Sequence, residues 1–293
     1  MSQDNSDNSD TFRLGLPKGR MQEAVTRLLG DAGIRVTPSA RGYRPMVSLR
    51  ACEAKILKPQ NIIEMLELGN RDVGFAGADW VEEMRADVVE LLDTELDPVQ
   101  VVAAAPRVLL DSNELPDRHL VVASEYERLT RDWIGSRGLN AEFVRSYGAT
   151  EVFPPEDADV IIDNTATGST LRANDLVVVD TLVSSSTRLY ASPAAIADPG
   201  KKSRIEDLRL LLESVLDARK RVMIEVNAPA DRLNAVVALL PCMREATVAP
   251  LYGNNGYAVR AAVPKDRLPE LIPAVKAAGG SDVVVTSLSQ IVP

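Results

Sequence analysis

Residues 12–34, FRLGLPKGRMQEAVTRLLGDAGI, contain the pattern that decides the fold. The apolar run at the start predicts a strand, which ends at the basic turn of residues 18–20. From Met21 onward, apolar residues recur every three or four positions, as they do along one face of an amphipathic helix. Gly33 follows this stripe where a helix C-cap is expected. The stretch is therefore predicted to be a strand–turn–helix unit.

The same alternation continues along the chain and predicts an α/β fold with largely parallel sheets. Further strands are predicted at residues 52–57, 73–76, 99–104, 120–123, 160–162 and 176–182, and helices at residues 60–68, 126–136 and 205–219. Residues 96–98, Leu-Asp-Pro, are interpreted as a crossover into a second lobe, with a return near the serines at 184–186. The first lobe would then be discontinuous, with residues 11–97 and 185–218, and the second would span residues 98–184.

The C-terminal quarter contains an internal repeat. A strand, a Pro-x-Asp-Arg-Leu segment and a helical apolar stripe occur twice, with prolines at 229 and 264, 35 positions apart. Strands predicted at residues 246–251 and 282–286 complete the order β-α-β-β-α-β, which is typical of a ferredoxin-like unit. Residues 219–293 are therefore predicted to form a separate ferredoxin-like domain.

The composition limits the functions that this chain can serve. Its 293 residues include 33 Lys and Arg against 42 Asp and Glu, so the formal net charge of −9 argues against broad binding of nucleic acid or anionic membranes. The single histidine, His119, and the widely separated Cys52 and Cys242 argue against a His-ligated metal, a cysteine metal site and a Ser-His-Asp triad. Catalysis is left to carboxylates, Lys, Arg and backbone amides.

The N-terminal segment, residues 1–10, is rich in Ser, Asn, Asp and Gln and is predicted to be disordered, because it has little apolar surface to bury. It has neither the basic region nor the apolar core of an export signal. No run approaches the ~20 apolar residues that cross a bilayer. The sequence therefore predicts a cytoplasmic protein.

Residues 160–171, VIIDNTATGSTL, are the most informative candidate site. An apolar strand ends in Asp163, and hydroxyl residues around Gly168 follow. Backbone amides and hydroxyls of residues 167–170, at the start of a short helix, would form a cradle for a phosphate, and Asp163 would accept hydrogen bonds from sugar hydroxyls. The alternative, which the residues leave open, is an N-capped strand-to-helix turn that binds nothing.

Two further segments contain candidate ligand contacts. Lys18 and Arg20, on either side of Gly19, place two cations at a helix N-terminus, where they oppose the helix dipole unless an anion neutralises them. The glycines of residues 72–79, DVGFAGAD, lie at a strand end, where the backbone can approach a ligand. A solvated basic turn and ordinary turn geometry remain the alternatives at these two places.

Together these motifs resemble the long form of the ATP phosphoribosyltransferase family, over residues 12–292. The matches are the Lys-Gly-Arg turn at 18–20, the D-x-G-x-x-G-x-D segment at 72–79, the V-A-[ST]-x-[YF] strand end at 122–126, the turn that contains Glu151, the D-x-x-x-[ST]-G-x-T-L loop at 163–171 and residues 245–251. The loop is the most specific of them. The chain departs from the family pattern at Lys58, where an arginine is usual, and at Ala78, Glu125 and Glu127.

The resemblance implies a fold and a reaction. The fold would be α/β, with two periplasmic-binding-protein-like lobes around a cleft and a C-terminal ferredoxin-like (ACT-like) regulatory domain. The reaction would transfer 5-phosphoribosyl from phosphoribosyl diphosphate to N1 of ATP with release of pyrophosphate, the first step of histidine biosynthesis. Mg²⁺ would be chelated by the substrate. L-histidine would act as feedback inhibitor of a homo-oligomer, a dimer or hexamer.

The resemblance also assigns roles to residues. The catalytic residues would be Lys18, Glu151 and Asp163. Phosphoribosyl diphosphate would bind Asp163, Asn164, Thr165, Ala166, Thr167, Gly168, Ser169 and Thr170. ATP would contact Lys18, Gly19, Arg20, Lys58, Gly77 and Asp79. Histidine would contact Asn227, Thr247, Ser281 and Asp282, and no protein-ligated metal is expected.

A different class of function stays open, namely a two-lobed sensor that binds a nucleotide or an amino acid without catalysis. The lack of an export signal argues against a periplasmic binder. The phosphate-type loop argues against a binder of amino acids alone. Turnover of ATP and phosphoribosyl diphosphate would discriminate the enzyme from the sensor.

Overall fold

The computed structural model describes residues 11–39, 42–112, 114–253 and 255–292. The predicted disordered tail, residues 1–10, lies outside the described residues. The described chain forms two compact units, one of residues 11–27 and 34–206 and one of residues 28–33 and 207–292. Within the described ranges, no helix combines the length and the apolar character needed to cross a membrane.

Strands and helices alternate along residues 11–220, as the sequence predicts. The strands are β1 (Phe12–Pro17), β2 (Val36–Thr37), β3 (Met46–Val47), β4 (Cys52–Leu57), β5 (Val73–Gly77), β6 (Val89–Pro106), β7 (Leu120–Ser124), β8 (Ala141–Arg145), β9 (Val160–Thr165) and β10 (Leu176–Ala191). The helices are α1 (Arg20–Asp31), α2 (Pro59–Glu67), α3 (Ala78–Met84), α4 (Glu127–Arg137), α5 (Ser169–Ala173), α6 (Pro193–Ala197) and α7 (Pro199–Lys220). The largest differences from the prediction are β6 and β10, which are 18 and 16 residues long.

Eight of these strands form one sheet in the order β4-β1-β5-β10-β6-β9-β7-β8. The outer strands pair in parallel, β4 with β1 and β1 with β5 on one side, and β9 with β7 and β7 with β8 on the other. The long strands β10 and β6 run antiparallel to their neighbours through the middle of the sheet. The predicted parallel pairing is therefore found among the outer strands. The antiparallel pairing of β6 and β10 in the centre was not predicted.

The two predicted crossings lie side by side in the middle of this sheet. Leu96 of β6 pairs with Thr187 of β10, and the register shifts between Ser185 and Thr187. Glu95 and Asp97 take left-handed backbone angles, φ 57° and 48°, which residues other than glycine seldom adopt. An irregularity of this kind bends a strand and re-aims its side chains. The lobe boundaries that were drawn at these crossings remain a prediction.

Buried apolar residues anchor the strand that leads into the candidate site. Val160, Ile161 and Ile162 of β9 are fully buried, and so is Ala103 of β6, which pairs with Ile162. Burial of each large apolar side chain stabilises the fold by ~1.5–3 kcal/mol. The end of β9, where Asp163 begins the loop, therefore has a well-supported position.

The second unit has the predicted order β-α-β-β-α-β. Its elements are β11 (Arg221–Ala228), α8 (Leu233–Leu239), β12 (Thr247–Pro250), β13 (Tyr257–Pro264), α9 (Leu268–Ala277) and β14 (Ser281–Ser287). The sheet order is β12-β13-β11-β14, and every pair is antiparallel, which is a ferredoxin-like arrangement. Leu233 and Leu268 begin the two helices. Each follows its repeated proline at the same interval, so the repeat in sequence is a repeat in structure.

Candidate active site

The loop after β9 presents hydroxyl groups around a left-handed glycine. Gly168 has φ +69° and is the N-cap of α5. The Gly168 N–H donates to Thr165 Oγ1 over 3.0 Å, and Thr167 Oγ1 lies 3.0 Å from Ser169 Oγ. A Cβ at residue 168 would lie 3.0 Å from Arg172 Nη1, and the positive φ disfavours any L-residue with a side chain. The loop conformation therefore favours glycine at this position.

A cavity of about 450 Å³, here called the loop cavity, lies against this loop. It is lined by Arg20, Glu125, Gly148, Ala149, Thr150, Glu151, Asp163, Asn164, Thr165, Ala166, Thr167, Ser169, Thr170 and Leu171. Carboxylates accept hydrogen bonds from sugar hydroxyls, whereas a guanidinium and hydroxyl groups bind phosphate oxygens. The lining residues contain both kinds of group, so the cavity suits a phosphorylated sugar.

Asp163 is the carboxylate at the end of β9 in this cavity. Its burial raises the pKa of Asp163 to about 6, and the charges of Glu151 and Glu125 add to the rise. The Asn164 N–H opposes the rise by donating to Asp163 Oδ1 over 2.7 Å. Such a group is ionised at neutral pH although it is poorly solvated. It would stabilise a positive charge that develops beside it.

A second cavity of about 350 Å³, here called the strand cavity, adjoins the first, because Arg20 and Asn164 line both. Its lining residues are Arg20, Met21, Gly77, Asp79, Trp80, Asp97, Val99, Asn164, Ser185, Ser186 and Thr187. An indole ring together with hydroxyls and carboxylates is a suitable lining for a ligand with an aromatic base and polar substituents. The two cavities can thus hold two ligands side by side.

Most of the predicted contact residues lie at these two cavities. Those that line one or both are Arg20, Gly77, Asp79, Glu151, Asp163, Asn164, Thr165, Ala166, Thr167, Ser169 and Thr170. Lys18, Gly19, Lys58 and Gly168 line neither of them, although Gly168 lies within the loop itself. Lys18 Nζ instead donates to Tyr43 OH over 3.1 Å, and Lys58 is the N-cap of α2. The roles assigned to all these residues stay predictions.

Asp79 lines the strand cavity, but its carboxylate is already engaged by the protein. The residue is 5% exposed. Its Oδ1 accepts from Ser185 Oγ over 2.7 Å, and its Oδ2 accepts from Tyr126 OH over 2.6 Å. A carboxylate with both oxygens bonded to protein hydroxyls is better placed to orient those groups than to hold a phosphate.

The residues that β6 and β10 contribute to the strand cavity were not predicted from the sequence. These are Asp97, Val99, Ser185, Ser186 and Thr187, and Trp80 of α3 was missed as well. The hydroxyl residues at 184–187 form a run inside a strand, without a glycine or a helix start beside it to indicate a ligand site. The only signal was the interpretation of residues 96–98 and 184–186 as crossings, which places them where two lobes meet.

Three of the four predicted histidine contacts form a cluster in the second unit. Asn227 Nδ2 and Ser281 Oγ both donate to Asp282 Oδ2, over 3.1 and 2.9 Å. These two bonds hold the pKa of Asp282 below its ordinary value. Thr247 lies on β12, which is separated from the β11 strand of Asn227 by β13. Histidine contact at these residues stays a prediction.

Fold and site together define a class of protein: an α/β protein with a hydroxyl-rich loop at the end of a parallel strand, two adjoining cavities and a C-terminal ferredoxin-like domain. The chain belongs to the ATP phosphoribosyltransferase family. The family model of that description matches residues 58–214, and the model described as HisG, C-terminal domain, matches residues 218–290. The family predicted from the sequence motifs is therefore confirmed.

Curated relatives extend the similarity over nearly the whole chain. The ATP phosphoribosyltransferase of Pelotomaculum thermopropionicum is 37% identical, over 96% of this chain and 99% of its own length. That of Chlorobium phaeovibrioides is 35% identical, over 98% of this chain and 99% of its own length. One chain of a solved ATP phosphoribosyl transferase complex from Thermotoga maritima matches 69% of this chain over 99% of its own length. The TM-score is 0.61 and the identity is 23%, which supports the fold.

Proposed function

We propose that this chain transfers the 5-phosphoribosyl group of phosphoribosyl diphosphate to N1 of ATP, the first step of histidine biosynthesis. The bond from C1′ to the diphosphate oxygen breaks, and its electron pair leaves with pyrophosphate. N1 of adenine forms the new bond to C1′, and the adenine amino group then loses a proton to solvent. The observation that carries the proposal is the pair of adjoining cavities, which share Arg20 and Asn164.

The loop cavity would hold the ribosyl half of the reaction. Hydroxyls of Thr167, Ser169 and Thr170, with the amides of the loop, would bind the 5′-phosphate. Asp163 and Glu151 would accept hydrogen bonds from the ribose hydroxyls. Their charge would also stabilise the cation that develops at C1′ as pyrophosphate departs. Positioning and electrostatics would then supply the rate without a covalent intermediate.

The phosphates of both substrates need cations. Arg20 lines both cavities, and a guanidinium binds phosphate oxygens in pairs, so we keep its predicted contact with ATP and assign it to the diphosphate as well. Mg²⁺ would enter as part of the substrate, chelated by phosphoribosyl diphosphate. Lys18, Gly19 and Lys58 keep their proposed contacts with ATP, although none of the three lines either cavity.

We propose that the chain divides into two catalytic lobes and a regulatory domain. We assign residues 11–97 and 185–218 to one catalytic lobe, residues 98–184 to the other, and residues 219–293 to a regulatory domain that binds L-histidine. The protein would act in the cytoplasm as a homo-oligomer, a dimer or hexamer. Support for this part comes from the family membership and from the ferredoxin-like order of the second unit.

One assay tests the transferase against the sensor. Purified protein with ATP, Mg²⁺ and phosphoribosyl diphosphate should form N1-phosphoribosyl-ATP, detected by ultraviolet absorbance and mass. Asp163→Asn should lower kcat more than it raises the KM for ATP, because its charge matters most as the cation develops. Asp157→Asn, an exposed acid just before β9, is the matched control and should leave kcat unchanged. Binding of ATP without any product would favour the sensor.

A further inference from the structure

A buried hydrogen-bond chain links the two cavities. Tyr126, 0% exposed, donates its hydroxyl hydrogen to Asp79 Oδ2 over 2.6 Å, and Asn164 Nδ2 lies 3.0 Å from the same hydroxyl oxygen. Ser185 Oγ donates to the other oxygen of Asp79 over 2.7 Å. The Tyr126 ring stacks on Trp80, with the ring centroids 4.6 Å apart. The phenol is therefore held in one position by packing and by hydrogen bonds.

The chemistry of this chain decides which way the Asn164 amide faces. A carboxylate only accepts, and a phenol has a single hydrogen to donate, so Tyr126 uses that hydrogen on Asp79. Towards Asn164 the phenol oxygen can then only accept, which requires the amide NH₂ and not the amide oxygen on that side. Burial, and after it the Asp79 charge, raises the pKa of Tyr126 far above its usual value, so the phenol stays a donor at physiological pH.

The amide oxygen of Asn164 is the atom that remains for a ligand. Within the described chain, the side chain of Asn164 makes one hydrogen bond, the donation from Nδ2 to Tyr126. Its backbone N–H donates to Asp163, and its backbone pairs with Val101 of β6. None of these contacts involves Oδ1. Asn164 is exposed and lines both cavities, so this acceptor lies where the two ligands would meet.

We propose that Asp79 and Tyr126 are positioning residues that fix the Asn164 amide, so that its oxygen accepts a hydrogen bond from a substrate. The inference rests on the proposed phosphoribosyl transfer. In that reaction two donors come together beside the new bond: the 6-amino group of adenine, next to N1, and a ribose hydroxyl, next to C1′. The amino group and the ribose hydroxyl are both hydrogen-bond donors. Measurements of substrate binding show which of the two donates to Asn164.

Tyr126→Phe is the direct test, because it removes the hydroxyl, keeps the ring on Trp80 and frees the amide to turn. ITP has an oxygen acceptor in place of the amino group, which a fixed amide oxygen repels and a turned amide can bind. If the amino group is the donor, the preference for ATP over ITP in calorimetry should fall about five- to ten-fold. If the ribose hydroxyl is the donor, that preference should stay, and the KM for phosphoribosyl diphosphate should rise by a similar factor.

Thr130→Val is the matched control, and it lies in α4, the helix whose N-cap is Tyr126. It removes a buried hydroxyl that donates to the backbone carbonyl of Tyr126, and it leaves the phenol in place. Both measurements should match the wild type in this variant. If Tyr126→Phe also kept the wild-type preference for ATP over ITP and the wild-type KM for phosphoribosyl diphosphate, the proposal would be overturned.

Asn164→Ala guards against a Tyr126 variant that folds poorly, because residue 164 is exposed. It removes the acceptor itself and should reproduce the loss seen in Tyr126→Phe. The double variant should be no worse than Asn164→Ala alone, since both residues act through one oxygen atom, and additive losses would contradict the proposal. A wild-type protein without turnover would instead refute the proposed function, whereas the ATP-to-ITP ratio can be measured without turnover.

Discussion

Glu151 and Asp163 line the same cavity from different elements, and the negative charge of Glu151 raises the pKa of Asp163. Glu151 lies in a single 3₁₀ turn, Thr150–Val152, and Asp163 lies in β9. Burial is the larger cause of the shift, and with Glu151 and Glu125 it brings the pKa of Asp163 to about 6. The proposed mechanism needs both carboxylates charged. Asp163 loses its charge as the pH falls through about 6, just below neutral pH.

The acid limb of the pH–rate profile should therefore follow Asp163. As the pH falls through about 6, this carboxylate gains a proton and no longer stabilises the developing cation, so kcat should fall. Glu151→Gln removes a negative neighbour, which lowers the pKa of Asp163 and moves the acid limb to lower pH, beside any loss of maximal rate. Glu125→Gln should move it less, because Glu125 is the smaller cause. An acid limb at the same pH in Glu151→Gln would contradict this assignment.

Asp163 should also reduce the stability of the folded protein at neutral pH. Its folded-state pKa of about 6 exceeds the ordinary 3.8, so the stabilising proton is fully bound below about pH 4 and is lost as the pH rises through about 6. Asp163→Asn should raise the free energy of unfolding by about 1–3 kcal/mol at pH 7.5 and by little at pH 4. Urea unfolding at the two pH values measures this, with Asp157→Asn as control. If Asp163→Asn raised the free energy of unfolding equally at pH 7.5 and pH 4, the charge of Asp163 would not be the cause of the gain.

The sequence predicted the elements better than it predicted their directions. The strand of residues 160–162 and the loop after it were found because an apolar run ends at an acid, and burial of Val160 and Ile162 bears out the run. β6 and β10 were recognised only in part, since Glu90, Asp93 and other polar residues interrupt the apolar pattern where the strands continue. Periodicity reports burial, not the direction of a neighbouring strand, so the antiparallel centre was hidden.

The candidate site shows the same division. The loop at residues 163–170 is contiguous in sequence, and its Gly and hydroxyl residues form a pattern that can be recognised without a structure. The network of Asp79, Tyr126 and Asn164 joins residues that are 47 and 38 positions apart. No local spacing encodes such a contact, because the folding of the sheet brings these residues together. The adjacency of the two cavities was hidden for the same reason.

Gly168 should be required for turnover more than for folding. At φ +69° a valine is strained, and its Cβ would also meet Arg172 Nη1, so Gly168→Val should abolish turnover and lower stability by about 1–2 kcal/mol. Asparagine adopts left-handed angles more readily, so Gly168→Asn should keep more of the stability while its side chain still blocks approach of a phosphate to the loop. Melting temperature and kcat together separate the two effects. Full activity in Gly168→Val would exclude the loop as the phosphate site.

The last prediction concerns histidine and the cluster of Asn227, Ser281 and Asp282. The two donors that bond to Asp282 Oδ2 keep its pKa low, so the carboxylate is charged at neutral pH and suits the ammonium group of an amino acid. Asp282→Asn should weaken histidine binding by about ten-fold or more in calorimetry, the usual effect of losing a charge-assisted hydrogen bond. Glu270→Gln, an exposed acid of the same unit, is the control and should bind histidine as the wild type does.

A chain that ends at Lys220 should bind no histidine, because it lacks the cluster. Equal affinity of Asp282→Asn, Glu270→Gln and the wild type would remove Asp282 from the histidine site, and binding by the shortened chain would remove the whole C-terminal domain from it.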